Sequence, residues 1–571
     1  MTSTRMRWAA GIAAVSAVAM VVAGCSKNGA TTSNKQAQKK EKQVEKKAAS
    51  LPGTDMIKAT RDQIKDGGVL NLAIENFPAN FNPAEADANE VGIIPFYEST
   101  LPQFVTSDEA GDAVANPNYT KSFKIVSQNP FQVEYVLNPK AVWSDGTPIG
   151  YQDFLSQWKA NNGSNKAFLI SSTNGWEVIS KVEKGANDQD VKITFKRPYA
   201  AWPYLFNYLI PAKYTATPKA FNTAWKTKPA VSGGPFIASK LDSTAKVVTE
   251  TPNPKWWGDK PKLSQINLRF LELNATTGAF ANGELDAVDA GKDVNTLKQS
   301  EGVSGSKVLR SATVGLHVFN FNARSPLLKD VKVRQALVQA INRDQIAKVR
   351  LQPFGAPVQT RNSELYASIE PGYTDNASSV IGYNPTKAKQ TLASLGWKMQ
   401  GKKLMKNGKA FTLREVIPSE TSSQSQVSEV IQQSLANIGV TVKIQTVPSN
   451  DFFTKYIQVG DFDINYQGWT AGNFPECDAK SQYFPATSPQ NYPGVTTPEI
   501  GKLFDEACGT LDATARHKLG NELDKQLWAL AGQIAVFTDP AVAVVKGNLV
   551  NYDGITSAFQ APVWENVGWK K

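Results

Sequence analysis

Histidine is nearly absent from this 571-residue chain: only His317 and His517 occur, so a multi-histidine metal centre cannot be built. A histidine-based triad has the same two candidates. His317 sits in a strand-like run with Val314, Leu316, Val318 and Phe319, and His517 beside Arg516 and Lys518 in a charged helix, settings of packing and solvation. No G-x-S-x-G elbow, Walker-type phosphate loop or G-x-G-x-x-G turn is present. The carboxylate pairs Glu284 with Asp286 and Asp461 with Asp463 are spaced as on one strand face, whereas glycoside hydrolysis needs acids facing each other across a cleft. Neither a cofactor nor a metal is expected, and the residue inventory suits binding rather than turnover.

Cysteine is equally scarce, with three in the chain. The first closes Val22-Ala23-Gly24-Cys25, after the basic Arg5 and Arg7 and an apolar stretch from Trp8 to Ala23. That stretch is short for a membrane span of about 20 residues, and small residues before a cleavage point describe an export signal. A cysteine at the cut adds a thiol that can carry diacylglycerol. Residues 1–24 are therefore expected to be a lipoprotein signal peptide and Cys25 a lipidation site, tethering the chain to the outer face of the cell membrane. A dual-acyl anchor holds stably, because each buried CH2 contributes about 0.8 kcal/mol. Residues 25–60 are expected to be a Lys-rich linker, since Lys27, Lys35, Lys39, Lys40, Lys42, Lys46 and Lys47 face only Glu41 and Glu45 and nothing there can bury a core. The other two cysteines, Cys477 and Cys508, form an even pair in an exported protein and favour a disulfide worth about 2–4 kcal/mol, with two separate buried thiols as the alternative.

The net charge of +11 would suggest nucleic acid, but the first fifty residues carry nine Lys/Arg against two Glu. That leaves +4 on the body, so the basic excess belongs beside a membrane anchor and no nucleic-acid partner is expected. A body of roughly 520 residues exceeds one core and should form two or three lobes.

Within the body, Leu70, Leu72 and Ile74 alternate as in a β-strand, followed by the Pro- and Asn-rich Phe77–Pro83 loop. Phe131, Val133, Tyr135 and Leu137 alternate too, as do Val191, Ile193 and Phe195. Further on, Asp330 precedes a helical pattern through Val333, Leu337, Ala340 and Ile341, while Asn384 and Pro385 open a helix that Gly396 stops. A strand around Thr412 to Ile417, a helix with Val427, Ile431, Leu435 and Ile438 on one face, a strand of Val440, Val442 and Ile444, a helix with Phe452, Phe453, Tyr456 and Ile457, and a strand of Phe462, Ile464 and Tyr466 spell βαβαβ. Ligands of such α/β sheets bind beyond the carboxyl ends of the strands, which directs attention to a loop Gln467–Asn473 with its exposed glycines and Trp469.

Several segments together resemble one family, the extracellular solute-binding proteins (family 5) of ABC importers, whose best-known members bind dipeptides and oligopeptides. The carrying residues are Ala141–Pro148 (AVWSDGTP) with Asp153-Phe154, Ser232–Phe236 (SGGPF), Asn253–Gly258 (NPKWWG), Gly283–Asp286 (GELD), and Val333–Leu337 with Ile341–Arg343. The resemblance implies an α/β periplasmic-binding-protein-like clam-shell of type II, the large three-lobed peptide-binding class. Its domain I is discontinuous (61–97, 232–315 and 534–571), domain II is an outer lobe (98–231), and domain III spans 316–533, with crossovers at Ser232–Gly234 and Gly315-Leu316 as hinges. Carried onto this sequence, the ligand-binding residues are Glu75, Asn76, Phe77 and Asn80 on one side and Asn320, Tyr466, Trp469, Thr470, Ala471, Gly472 and Asn473 on the other.

The implied activity is a monomeric receptor that delivers a peptide or peptide-like solute to ABC permease subunits without chemistry. A cell-envelope scaffold or regulator of the same fold is the alternative. One departure is visible: many peptide-binding relatives place an aspartate just after Gly-Trp-x-x to pair with the ligand's α-ammonium, whereas here stand Gly472 and Asn473. Either Glu476 or Asp478 substitutes, or the ligand is no free-amino peptide.

Overall fold

The structure, a computed structural model, describes residues 51–75, 77–88, 91–108, 111–229, 231–419, 422–554 and 561–571. The expected signal peptide, Cys25 and most of the Lys-rich linker lie outside the described residues, as does Asn76. Among the described residues, no helix is long and apolar enough to cross a membrane.

Three larger sheets organise the unit Leu51–Lys571. In the seven-stranded sheet the spatial order is Ser306–Ser311, Ala541–Lys546, Ala287–Asp289, Val69–Ile74, Gln265–Phe270, Val247–Pro252 and Phe236–Asp242. Val69–Ile74 runs parallel to Gln265–Phe270 in register, and its alternation buries Leu70, Leu72 and Ile74. A four-stranded antiparallel sheet follows in the order Thr120–Gln128, Phe131–Leu137, Asp190–Phe195, Ile179–Lys184. The five-stranded sheet runs Thr441–Val447, Thr412–Pro418, Ile464–Trp469, Leu316–Phe321, Gln533–Phe537. Its first three strands are parallel, as βαβαβ requires, and Leu316–Phe321 is reversed between its two neighbours.

Local chemistry sets the helix limits. Asp330 accepts from the Lys332 amide at 2.8 Å to open Val331–Ala340, and Asn384 accepts from the Lys387 amide at 2.9 Å to open Pro385–Ser394. Each such cap stabilises by about 1 kcal/mol. Past Ser422–Ala436 the chain turns at Gly439 with φ +85°, where a side chain would also strike Met399. The second crossover helix is irregular: after Ser449–Asp451 the segment Phe452–Ile457 is a π-helix rather than a regular α-helix.

Two large apolar cores dominate, with smaller clusters beside them. The seven- and four-stranded sheets share one continuous core, containing Leu70, Phe96, Phe131, Tyr135, Phe206 and Val545. The five-stranded sheet has its own, with Val318, Phe319, Leu337, Ile431 and Ile464. The backbone crosses between these bodies at Ala312–Gly315 and at Thr538–Pro540, joined where Thr313 Oγ1 donates to the Asp539 carbonyl at 2.6 Å.

Three sequence-based limits shift. Gln533–Phe537 pairs with Leu316–Phe321, so the return to the seven-stranded sheet comes after Phe537 and not at 534; an apolar run buried on both faces fits either sheet by pattern alone. The chain joins the body before residue 60: the Asp55 amide donates to Ser311 Oγ at 2.8 Å and Asp55 Oδ2 accepts from the Arg310 amide at 2.8 Å. Ser232–Gly234 is no free hinge, since Ser232 Oγ and the amides of Gly233 and Gly234 all donate to the Thr100 carbonyl and a side chain at Gly234 would strike the backbone of Ser99 and Thr100.

Candidate ligand-binding cleft

Trp469 ends the strand Ile464–Trp469 at the carboxyl edge of the five-stranded sheet, opposite Leu316 beside the crossover. Its ring stacks on Tyr492, with centroids 5.4 Å apart and an interplanar angle of 12°. Its indole N–H donates to Gln533 Oε1 at 3.0 Å; the Gln533 amide donates to the Tyr483 hydroxyl, which donates to Glu364 Oε2 at 3.0 Å. This relay through buried groups fixes the indole plane and leaves Thr470 exposed. Ala471 then packs toward Val314, Ala367 and Ile369 at the crossover.

In the seven-stranded body, Glu75 follows Val69–Ile74 and pairs with Lys292, which also lies 3.8 Å from Asp289. Burial pushes the Asp289 carboxyl up despite Lys292, and the two acids hold the Lys292 ammonium above its ordinary value in spite of its own burial. At the crossover itself, His317 and Arg350 both pair with Asp539, Arg350 at 3.4 Å. Burial opposes the Asp539 charge, but His317 and Arg350 outweigh it and keep the carboxyl below its usual range. Arg350 also donates to the Gly291 carbonyl at 3.0 Å, tying the five-stranded body to the seven-stranded one.

Past Trp469 the chain turns at Gly472 and enters the short helix Pro475–Asp478. A Cβ on Gly472 would collide with Asp478 Oδ2, so the Asp478 carboxylate occupies the space that a side chain at 472 would fill. Asp478 is exposed, yet burial by surrounding protein, reinforced by Glu476, pushes its carboxyl up to about 7. Glu476 points elsewhere: it is buried, accepts from the Tyr366 hydroxyl at 2.8 Å and pairs with Arg516 at 3.4 Å. Cys477, between the two acids, is bonded to Cys508 with S–S 2.10 Å.

Residues 115–491 match the bacterial extracellular solute-binding proteins, family 5 Middle, which is well over half of the chain. The chain belongs to that family. The oligopeptide-binding protein OppA of Mycobacterium tuberculosis is 32% identical over 555 residues, covering 96% of this chain and 92% of that protein. Among solved structures, the periplasmic EDTA-binding protein EppA superposes with TM-score 0.84 at 24% identity (91% of this chain, 99% of that one). The oligopeptide-binding protein AppA from Bacillus subtilis, in complex with a nonapeptide, gives 0.71 at 19% (89% and 100%). At these identities the structures establish the fold: a mixed α/β clam-shell of the periplasmic-binding class. Family 5 proteins are the extracytoplasmic solute receptors of ABC importers and are not enzymes.

Within this solute-binding protein, the expected ligand residues separate into two groups. Glu75 and Thr470 are exposed, Trp469, Ala471, Gly472 and Asn473 are half-buried, and Phe77 is half-buried with its ring 5.9 Å from Phe81. Asn80, Asn320 and Tyr466 do not reach open surface. The Asn80 amide donates to the Asn222 carbonyl at 3.1 Å and its oxygen accepts from the Asn82 amide at 3.1 Å. Asn320 is fully buried beside Asn465 and Gln533, and Tyr466 lies on the opposite face of that sheet, its ring 5.2 Å from His317 within the core. Strand alternation explains the correction: Trp469 and Tyr466 are three residues apart and must point to opposite faces. The strand also runs further than expected, so Gln467 is buried and the loop begins only at Thr470. Tyr492, stacked on Trp469, and Lys292, which links Glu75 to Asp289, make these contacts without any local sequence signal.

Proposed function

We propose that this protein is a lipid-anchored extracytoplasmic receptor that binds peptides bearing a free α-ammonium between its two bodies and delivers them to an ABC permease. The observation that carries the ligand class is Asp478, an exposed carboxylate set in the space vacated by Gly472, three residues past Trp469. An ammonium leaving water needs a compensating charge, and a half-solvated carboxylate supplies it along with a charge-assisted hydrogen bond. Backbone groups of Glu75, Phe77 and residues 469–471 serve as strand-like partners for the peptide main chain, which leaves side-chain choice broad. The OppA relative named above is an oligopeptide-binding protein, in keeping with this reading. In this reading the receptor has three lobes, 52–97 with 232–311 and 541–571, then 98–231, then 316–537, a division that the grouping of strands into sheets supports.

Ligand contact on both sides is what shifts the open–closed equilibrium, because a solute moves it only by its differential affinity. Mass spectrometry of the purified protein should detect co-purifying peptides, and tri-alanine should raise the melting temperature while N-acetyl-tri-alanine should not. No bound peptide and no thermal shift with any peptide pool would favour the envelope scaffold instead. Trp469→Ala is expected to weaken tri-alanine binding by about 30-fold with little change in far-UV circular dichroism, since it deletes a stacked, half-buried platform rather than a core residue. Undiminished affinity would remove Trp469 from the site. Lipidation at Cys25 predicts that Cys25→Ser releases the protein into the medium and abolishes fatty-acid labelling.

A further inference from the structure

A second set of contacts joins the two bodies far in sequence from the backbone crossovers. Segment 473–511 follows the last parallel strand of the five-stranded sheet, yet Phe474, Cys477, Cys508 and Leu511 pack into the core shared by the other two sheets, which also contains Tyr199, Trp202 and Phe206. The disulfide fastens helix Pro475–Asp478 to helix Pro498–Gly509, and both cysteine carbonyls face the opposite body. The Ala200 amide donates to the Cys508 carbonyl at 2.8 Å, and Asn174 Nδ2 to the Cys477 carbonyl at 3.4 Å. Asn473 Nδ2 donates to Ser107 Oγ at 2.7 Å, and that hydroxyl is 2.7 Å from the Tyr204 hydroxyl. The Tyr204 ring lies 6.0 Å from Phe474. Arg197 pairs with Asp505 at 3.0 Å while Lys480 holds the other Asp505 oxygen at 2.8 Å.

We infer that this seam is a closure latch: the four-stranded lobe grips segment 473–508 when the cleft shuts, and so sets the closed fraction whatever ligand is inside. Its polar parts suit reversible contact, and its apolar parts favour the closed form. The ion pair is half-exposed on both sides, with 41% and 46% of the Arg197 and Asp505 side chains accessible, and the hydrogen bonds involve short polar groups that water can satisfy once the seam parts. The disulfide makes the grip effective. With helix 475–478 stapled to helix 498–509, contacts on Cys508 hold the helix that carries Asp478, so closure and ligand geometry move together. If only the closed form binds well, apparent Kd equals the intrinsic Kd divided by the closed fraction, and loosening the latch weakens every ligand by one common factor.

The inference rests on the two-body receptor reading but not on the ammonium. Its test compares the wild type with Ser107→Ala combined with Arg197→Ala by small-angle scattering without ligand, and by calorimetric titration with tri-alanine and tri-leucine. The latch predicts a larger ligand-free radius of gyration and Kd values raised by the same factor, about tenfold, for both peptides. Unchanged dimensions and Kd values in a folded variant, or a loss confined to one peptide, would overturn it. Should the double variant prove unstable, Asp505→Asn, a near-isosteric surface change, carries the same test with about a threefold shift. The scattering arm needs no ligand, so failure to bind either peptide would count against the ligand class alone, while identical scattering counts against the latch.

Discussion

Asp478→Asn is expected to weaken binding of a free-amino tripeptide by about 10²- to 10³-fold while leaving the fold and melting temperature close to wild type. Removing one member of a desolvated charge pair costs about 2–5 kcal/mol, mostly the penalty of leaving the other charge unpaired. The isosteric asparagine keeps the shape beside Gly472, so packing changes little. The same residue sets a pH dependence. Burial and the neighbouring Glu476 raise its carboxyl to about 7, so below that pH the group in the empty site is protonated and must lose its proton to pair with an ammonium. Affinity should therefore fall about tenfold per unit as pH drops from 7 to 5, and flatten above 7 until the peptide's own α-amine, with a pKa of about 8, begins to deprotonate. Asp478→Asn should abolish the acid limb. Calorimetry across pH 5–8 reads both effects, and an asparagine variant with wild-type affinity would remove Asp478 from the site.

The melting temperature is expected to be higher at pH 5.5 than at pH 8.5, by about 5 °C or more. Burial raises several carboxyls: Glu98, Glu250 and Glu364 to about 8, and Glu370, Glu415 and Asp524 to about 7. In the unfolded chain these groups ionise near pH 4, so between about pH 4 and 8 the folded state holds more protons and stability declines as pH rises. The stabilisation is complete below pH 4 and lost through 7–8. Asp145 and Asp539, held low by cationic or hydroxyl partners, act in the opposite direction only in the acid range below about 4. Glu250 is the cleanest probe: it is fully buried, and among the described residues its carboxylate accepts from Ser99 Oγ at 2.7 Å, a bond a glutamine oxygen can still accept. Glu250→Gln should flatten part of the alkaline decline. Differential scanning calorimetry showing equal stability at both pH values would contradict the buried-acid account.

Local signals in the sequence carried well where local physics decides. The caps at Asp330 and Asn384, the buried alternation of Leu70, Leu72 and Ile74, and the βαβαβ rhythm from Thr412 to Tyr466 all appear where their patterns place them. The even cysteine pair is bonded as the export reading favours. What stayed hidden depends on tertiary placement. The sequence leaves Glu476 and Asp478 as equal candidates for the carboxylate missing at position 472; only the fold sets Asp478 against Gly472, buries Glu476 and stacks Tyr492 on Trp469. Asn80, Asn320 and Tyr466 lie near the cleft in sequence, but side-chain direction and local hydrogen bonds turn them inward. The Gln533–Phe537 strand is apolar on both faces, so its sheet could be decided only by pairing.

A crystal structure of the protein with a bound free-amino tripeptide tests the central claim most directly. The account predicts the peptide between the two bodies, its α-ammonium within hydrogen-bond distance, about 3 Å, of Asp478, and its backbone along Trp469–Ala471. A peptide seated with its amino terminus away from Asp478, or bound outside the cleft, would contradict it.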